Sequence, residues 1–232
     1  MKEEESEELP SSSPASRGMH DLESAIAIAR AKFARFGRSL DRVVQADLTI
    51  EVMGLLALIT RAQGFHNGAL QAVESDNPYA AFPLVRCYAE NAAVLLWVLE
   101  HPHDIGRVSA IAQQDQRFAV GRLIANAAKR APGFKDVYEQ LSEFTHPVAS
   151  GFTQPFRAAS DADGGFSWSS IPSFGSDDDK ILACFWLVEL TEMHANVWPR
   201  AYRGAMKTGE IVGALSSPLM QVPAREKDES SR

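Results

Sequence analysis

An all-α fold, a single-domain bundle of about six helices, is what this sequence predicts, and three observations lead to it. Between residues 20 and 212 apolar side chains recur at helical spacing almost without interruption. Proline, glycine, asparagine and aspartate fall between those stretches, where helices are expected to end or begin. The 232 residues, 45% hydrophobic and 23% charged, suit one hydrophobic core.

Residues 1–18, MKEEESEELPSSSPASRG, offer almost nothing to bury, so ordering them would cost backbone entropy without return. A disordered acidic tail is expected there. Its five glutamates against Lys2 and Arg17 carry −3 of the formal net charge of −7. In the first helix, over residues 20–38, Leu22, Ile26, Ala29, Phe33 and Phe36 form one stripe with arginine and lysine opposite. The second runs from about Asp47 to Glu74, broken or bent near Gly64, and Asn77-Pro78 then supplies a stop, a cap and a first-turn proline for the third. Asp104 is placed to cap a fourth helix through about Lys129, ended by Pro132-Gly133. A short fifth covers Phe134 to Thr145, before Pro147. Near 150–175 the register changes: FRAAS, DADGG and FSWSS read as a small hairpin or irregular insertion around an Asp/Gly turn. Asp177 to Asp179 favour the N-terminus of a long last helix, which Pro199 should bend. Residues 216–232 have the composition of a second disordered tail.

Several function classes find little support. The longest uninterrupted apolar run, Ala92 to Leu99, is far short of a membrane span of about 20 residues, and no basic-then-apolar leader opens the chain. A cytoplasmic protein without membrane contact is expected. Cys87 and Cys184 stand alone in apolar helical stretches and read as small core residues of a reducing compartment. His101 and His103 flank Pro102 with no third ligand near them, so no metal site is expected. Phosphate loops, nucleophile elbows and HExxH are absent, and no cofactor is expected. A net acidic body argues against generic nucleic-acid binding, and Arg107, Arg122 and Lys129 read as one solvated face. Phe185, Trp186 and Trp198 read as core.

The candidate site starts from LVRCYAENAAVLLWVLEHP, residues 84–102. At 100° per residue Arg86 and Glu90 share a face of a helix that is apolar nearly all round and therefore central. Buried there, both would need partners, because a lone buried charge costs several kcal/mol. In YEQLSEFTHP, Ser142 and His146 also stand at i and i+4, and His146 lies at a helix C-terminus, which favours its protonated form. The third and fifth helices are expected to meet, with Arg86, Glu90, Ser142 and His146 in one polar cluster. A structural network that sets helix register is the plainer reading of it.

An apolar helix with R-x-x-x-E, here Arg86 to Glu90, followed some fifty residues later by Tyr...Leu-Ser...His-Pro, here YEQLSEFTHP, resembles bacterial all-helical families of unassigned function. Those families are distantly similar to the HEPN superfamily of helical nucleotide-binding and ribonuclease domains. The resemblance covers roughly residues 40–205 and implies a bundle with the arginine, glutamate and histidine turned inward together. Active HEPN ribonucleases carry an arginine, usually a polar neighbour, and a histidine four to six places on. Arg61 to His66 in RAQGFH meets that spacing, with Ala62 where the family has a polar residue. The functional expectation is a non-catalytic interaction or oligomerisation module, with a homodimer as its partnership. The alternative is a HEPN-like ribonuclease or nucleotide-binding domain of a toxin or defence system.

Overall fold

The computed structural model describes residues 18–40, 49–105, 120–145 and 170–208, with the backbone of 156–158 and 166–168. Among the described residues six α-helices form the protein: α1 Leu22–Leu40, α2 Ile50–Glu74, α3 Pro78–Glu100, α4 Val120–Arg130, α5 Phe134–Thr145 and α6 Asp177–Thr208. A 3₁₀ turn, Pro102–Asp104, follows α3. Two three-residue strands, β1 Phe156–Ala158 and β2 Phe166–Trp168, pair antiparallel with Phe156 opposite Trp168. The helical periodicity is thus realised as an all-α bundle, and FRAAS and FSWSS as its short hairpin.

Helix starts follow from local chemistry. The Asp21 carboxylate accepts the Ser24 N–H at 2.7 Å ahead of α1, and the Thr49 hydroxyl accepts the Val52 N–H at 3.2 Å ahead of α2. Asn77 caps α3 through the Ala80 N–H at 3.2 Å, with Pro78 in the first turn, as its sequence implied. The link between α2 and α3 turns on Asp76, whose φ of 58° is a conformation aspartate tolerates better than most residues. Its carboxylate accepts the Phe174 N–H at 3.2 Å and pairs with Lys180 at 3.0 Å, tying that turn to the start of α6.

One element differs from expectation. α2 runs unbroken through Gly64, because one exposed glycine costs at most about 1 kcal/mol of helix propensity while Ala62, His66 and Ala69 anchor the inner face. Pro199 lies inside α6 without ending it, and the helix continues to Thr208. Of the fourth helix only Val120–Arg130 is described; Asp104 sits in the 3₁₀ turn and accepts the Trp97 indole N–H at 3.1 Å. Residues 1–17 and 209–232, and with them nearly all of both expected tails, lie outside the described residues.

α3 is the axis of the bundle. α2 runs antiparallel to it, since Leu58 meets Asn91 while Gly68 meets Leu84. α6 runs parallel, with Phe82 against Trp186 and Asn91 against His194. α5 covers a third side, where the Phe82 and Phe144 rings stack at 4.1 Å, and α4 closes the C-terminal end through Glu100, which bonds Asn126 and pairs with Arg130. α1 packs on α2 and α6 through Ala25, Ala29, Phe33 and Phe36. By length and composition α3 could cross a membrane, yet 61% of its most apolar window is buried among these neighbours, so its apolar surface is already used. Trp186 and Trp198 are buried in the same core, as expected.

The closest backbone approach gives a test. A Cβ on Gly54 would lie 2.8 Å from Cγ1 of Ile105, whereas one on Gly37 in α1 would meet nothing within 4 Å. Gly37→Ala should therefore stabilise by up to about 1 kcal/mol through helix propensity. Gly54→Ala should lose that gain to overpacking and come out destabilised by roughly 1 kcal/mol. Equal stabilisation of both in urea unfolding would show that α2 and Ile105 are not so close.

Candidate functional site

α3 and α5 meet, and they do so through Arg86 and Glu90. The Arg86 guanidinium donates to the Thr145 hydroxyl at 2.9 Å and to the Tyr138 phenol at 3.1 Å. Tyr138 in turn donates to the Glu90 carboxylate at 2.9 Å, and the guanidinium carbon lies 5.2 Å from the centre of its ring. Arg86 and Glu90 approach to 3.4 Å without hydrogen-bond geometry at the Arg86 Nε. The phenol therefore bridges the two charges.

This differs in membership from the four-residue cluster expected. Ser142 spends its hydroxyl on the Tyr138 carbonyl of its own helix at 2.7 Å, and Thr145 takes the place expected of it. His146 lies outside the described residues. Nor is the pair deeply buried: the Arg86 and Glu90 side chains keep 23% and 32% of their exposure, because the α5 face that covers them is only three turns long. Tyr138 is the residue that sequence reasoning missed. It stands one turn before Ser142 on the same stripe, so following that stripe backward would have reached it.

Chemically the cluster is a set of paired donors and acceptors, with the Arg86 Nε alone held by charge and not by a hydrogen bond. Burial, above all, holds the Tyr138 phenol above its ordinary pKa, so it serves at neutral pH as a donor and not as a base. The adjacent Cys87 thiol is raised by burial and by Glu90, which works against a reactive thiolate.

Arg61 and His66 are not brought together. Five residues put them about 140° apart around α2. Arg61 is exposed, with its guanidinium 5.2 Å from the centre of the Phe65 ring. His66 is 0% exposed, stacked on Phe33 at 4.4 Å and edge-on to Tyr88 at 5.9 Å. Arg122 lies over the Trp97 ring at 4.8 Å, and Lys129 is exposed.

A second polar group, unmarked by any motif, runs through the core. The Asn91 amide of α3 donates to the Leu58 carbonyl of α2 at 3.0 Å and lies 3.1 Å from Nε2 of His194 in α6. His194 Nδ1 is 2.7 Å from the Leu190 carbonyl, so Nδ1 carries the proton and Nε2 accepts from Asn91. Tyr88 stacks on His194 at 4.7 Å and shares a 3.1 Å hydrogen bond with Thr191. Burial pushes both His66 and His194 down to about 4, with Asn67 working against it at His66 and the Leu190 carbonyl at His194. Their signal in the sequence is faint: a lone Asn and a lone His, each amid apolar helix. Among the described residues no cluster of three or more histidine, cysteine or carboxylate side chains could hold a metal ion.

Two outcomes test this geometry. Tyr138→Phe removes the bridge and should cost about 1 kcal/mol, the exposure of both charges keeping the loss modest, while Ser142→Ala stays within about 0.5 kcal/mol. A silent Tyr138→Phe in chemical denaturation would mean the bridge is not formed. The second concerns pH. The unfolded chain takes up protons on both histidines below pH 6.5, the folded chain only near 4, so stability is full above 6.5 and falls as pH drops toward 4. The slope contributed is at most about 1.4 kcal/mol per pH unit per histidine. The rings facing them, Phe33, Phe36 and Tyr88, carry no opposing charge. His66→Leu, which surrenders no hydrogen bond, should flatten that slope and cost little at pH 7, whereas an unchanged slope would place His66 outside the core.

No protein-family model, curated protein or solved structure matches this chain.

Proposed function

We propose that this protein is a non-catalytic helical interaction module that pairs with a second copy of itself through the outward face of α2. The observation that carries the reading is the composition of that face. Met53, Ala57, Thr60, Gln63, Gly64, Asn67 and Gln71 are exposed in sequence along it, and Arg61 is the one charge between Glu51 and Glu74. α1, by contrast, exposes Arg30, Arg35 and Arg38 to solvent. A solvated helix face usually carries charge, and a helix with a single charge over five turns, with Met53 49% exposed, is better suited to a protein surface than to water.

Gly64 lies near the middle of α2 with open space beyond it, so a second helix can approach the backbone there about a two-fold axis. A strip about 37 Å long and about 10 Å wide covers on the order of 400 Å² per protomer, which belongs to weak, concentration-dependent pairing. The polar groups elsewhere support the same reading: Arg86, Glu90 and Tyr138 are engaged with one another, and His66 is sealed between Phe33 and Tyr88. A ribonuclease reading would need an accessible histidine close to an arginine, which Arg61 and His66 do not provide.

Sedimentation velocity over a hundredfold concentration range is the test. Reversible dimerisation is expected, and Gly64→Arg should abolish it while leaving the far-UV spectrum unchanged, since the new side chain meets nothing in its own protomer. A monomer at every concentration, or a dimer indifferent to Gly64→Arg, overturns the α2 interface. Purified protein incubated with RNA without metal should show no cleavage. Cleavage lost in His66→Ala or His146→Ala would replace the interaction reading with the HEPN one.

A further inference from the structure

On the side of the bundle between α1, α3, α4 and α6 lies a groove of about 620 Å³, within the range of small-molecule sites. Its apolar lining comes from Leu96 and Leu99 of α3 and Met193 and Val197 of α6. Five charges line it, and three of them are already used. Lys32 is paired with Glu192, and Arg130 is paired with Glu100 just outside the lining. The other two have no ion-pair partner among the described residues: Glu189, one of whose carboxylate oxygens is sealed from solvent without a hydrogen bond, and Arg200, whose side chain is exposed at the far end.

Glu189 and Arg200 stand eleven residues apart on α6. At 100° per residue they differ by about 20°, so both face the groove, with about 16 Å between their Cα atoms. The Cα–Cβ bonds of both residues lean toward the helix N-terminus, so the gap narrows only by the greater reach of arginine over glutamate. Roughly 14 Å then remains between carboxylate and guanidinium, and with about 3 Å for the contact at each end about 8 Å is left for the ligand, between the spans of two and three extended residues. The sealed Glu189 oxygen is out of a ligand's reach, but Glu189 is only part-buried and lines the groove, so the rest of its carboxylate can accept from a ligand N–H₃⁺, and a planar guanidinium is suited to gripping a carboxylate with two parallel bonds.

We propose that this groove binds an elongated zwitterion with an apolar middle, of the size of a tripeptide with free termini, its ammonium on Glu189 and its carboxylate on Arg200. The site is separate from the α2 face and does not depend on whether the chain dimerises. The same chemistry could come from a medium-chain ω-amino acid, so the test has an arm for each source.

Isothermal titration calorimetry of the full chain with Leu-Leu-Leu, its N-acetyl form, its C-terminal amide and 8-aminooctanoic acid decides. Saturable binding of the free peptide is expected, weakened about tenfold or more by blocking either end, as loss of one charged hydrogen-bonded contact implies. Glu189→Gln should weaken the free peptide to the same degree and leave the N-acetyl form unchanged. Arg200→Gln should do so while leaving the amide unchanged. Both positions lie on the groove wall, and thermal melting of each variant confirms that it is folded. Binding of 8-aminooctanoic acid with the same dependence supports the site and assigns recognition to its charges and apolar lining. Binding of the peptide alone supports it and adds the peptide groups. No saturable heat from any probe, or binding that end-blocking and both variants leave unchanged, overturns the proposal.

Discussion

One side chain holds the three central helices in register. The Asn91 amide gives its two protons to two different elements, the Leu58 carbonyl of α2 and the His194 ring of α6. Each bond is made away from water, where a lost partner leaves a full desolvation cost unreturned, so sliding either helix by one residue would forfeit it. Apolar packing is more forgiving: Leu, Ala and Val along α3 would fill space tolerably in neighbouring registers. The polar axis of Tyr88, Asn91, Thr191 and His194 selects one, and it fixes the tautomer of His194 in the same stroke.

The outer polar cluster acts on different terms. Arg86 and Glu90 retain about a quarter to a third of their exposure, so solvent screens them and their contribution to stability is limited. Their use is geometric. Tyr138 accepts from one charge and donates to the other, which orients α5 against α3 near the point where Phe82 and Phe144 stack. A short helix of three turns has little apolar surface of its own, with Phe134 and Leu141 its buried residues, and directional bonds make up the difference.

Polar side chains in this protein are answered to different degrees. Asn91, His194, Arg86 and Tyr138 have partners within the fold, while the Asn91 carbonyl and the Arg86 Nε make no hydrogen bond. The His66 ring nitrogens make no hydrogen bond of good geometry, its ring stacking on Phe33, and one Glu189 oxygen is likewise unanswered. A fold ordinarily removes such groups, since each costs stability without return. Glu189 lines the groove with the rest of its carboxylate; the retention of His66 has no physical account in the structure.

By itself the sequence determined the class of fold, the succession of helices, their caps at Asn77 and in the Asp177–Asp179 turn, the central place of the third helix and the position of the hairpin. These follow from local rules, the 3.6-residue period and the chemistry of helix ends, which act within a few residues. It also brought the Arg86 and Glu90 face to the right neighbour, because two polar stripes on otherwise packed helices require company. What only the tertiary structure decided was which atoms answer them. Tyr138 and not Ser142 bridges the charges, because crossing angle and offset set reach, and these depend on every side chain between the helices. The same holds for Asn91 meeting His194, 103 residues away, and for Glu189 being left over beside an apolar groove. Contacts between distant segments are fixed by how all the helices share one core, and no window of sequence contains that sum.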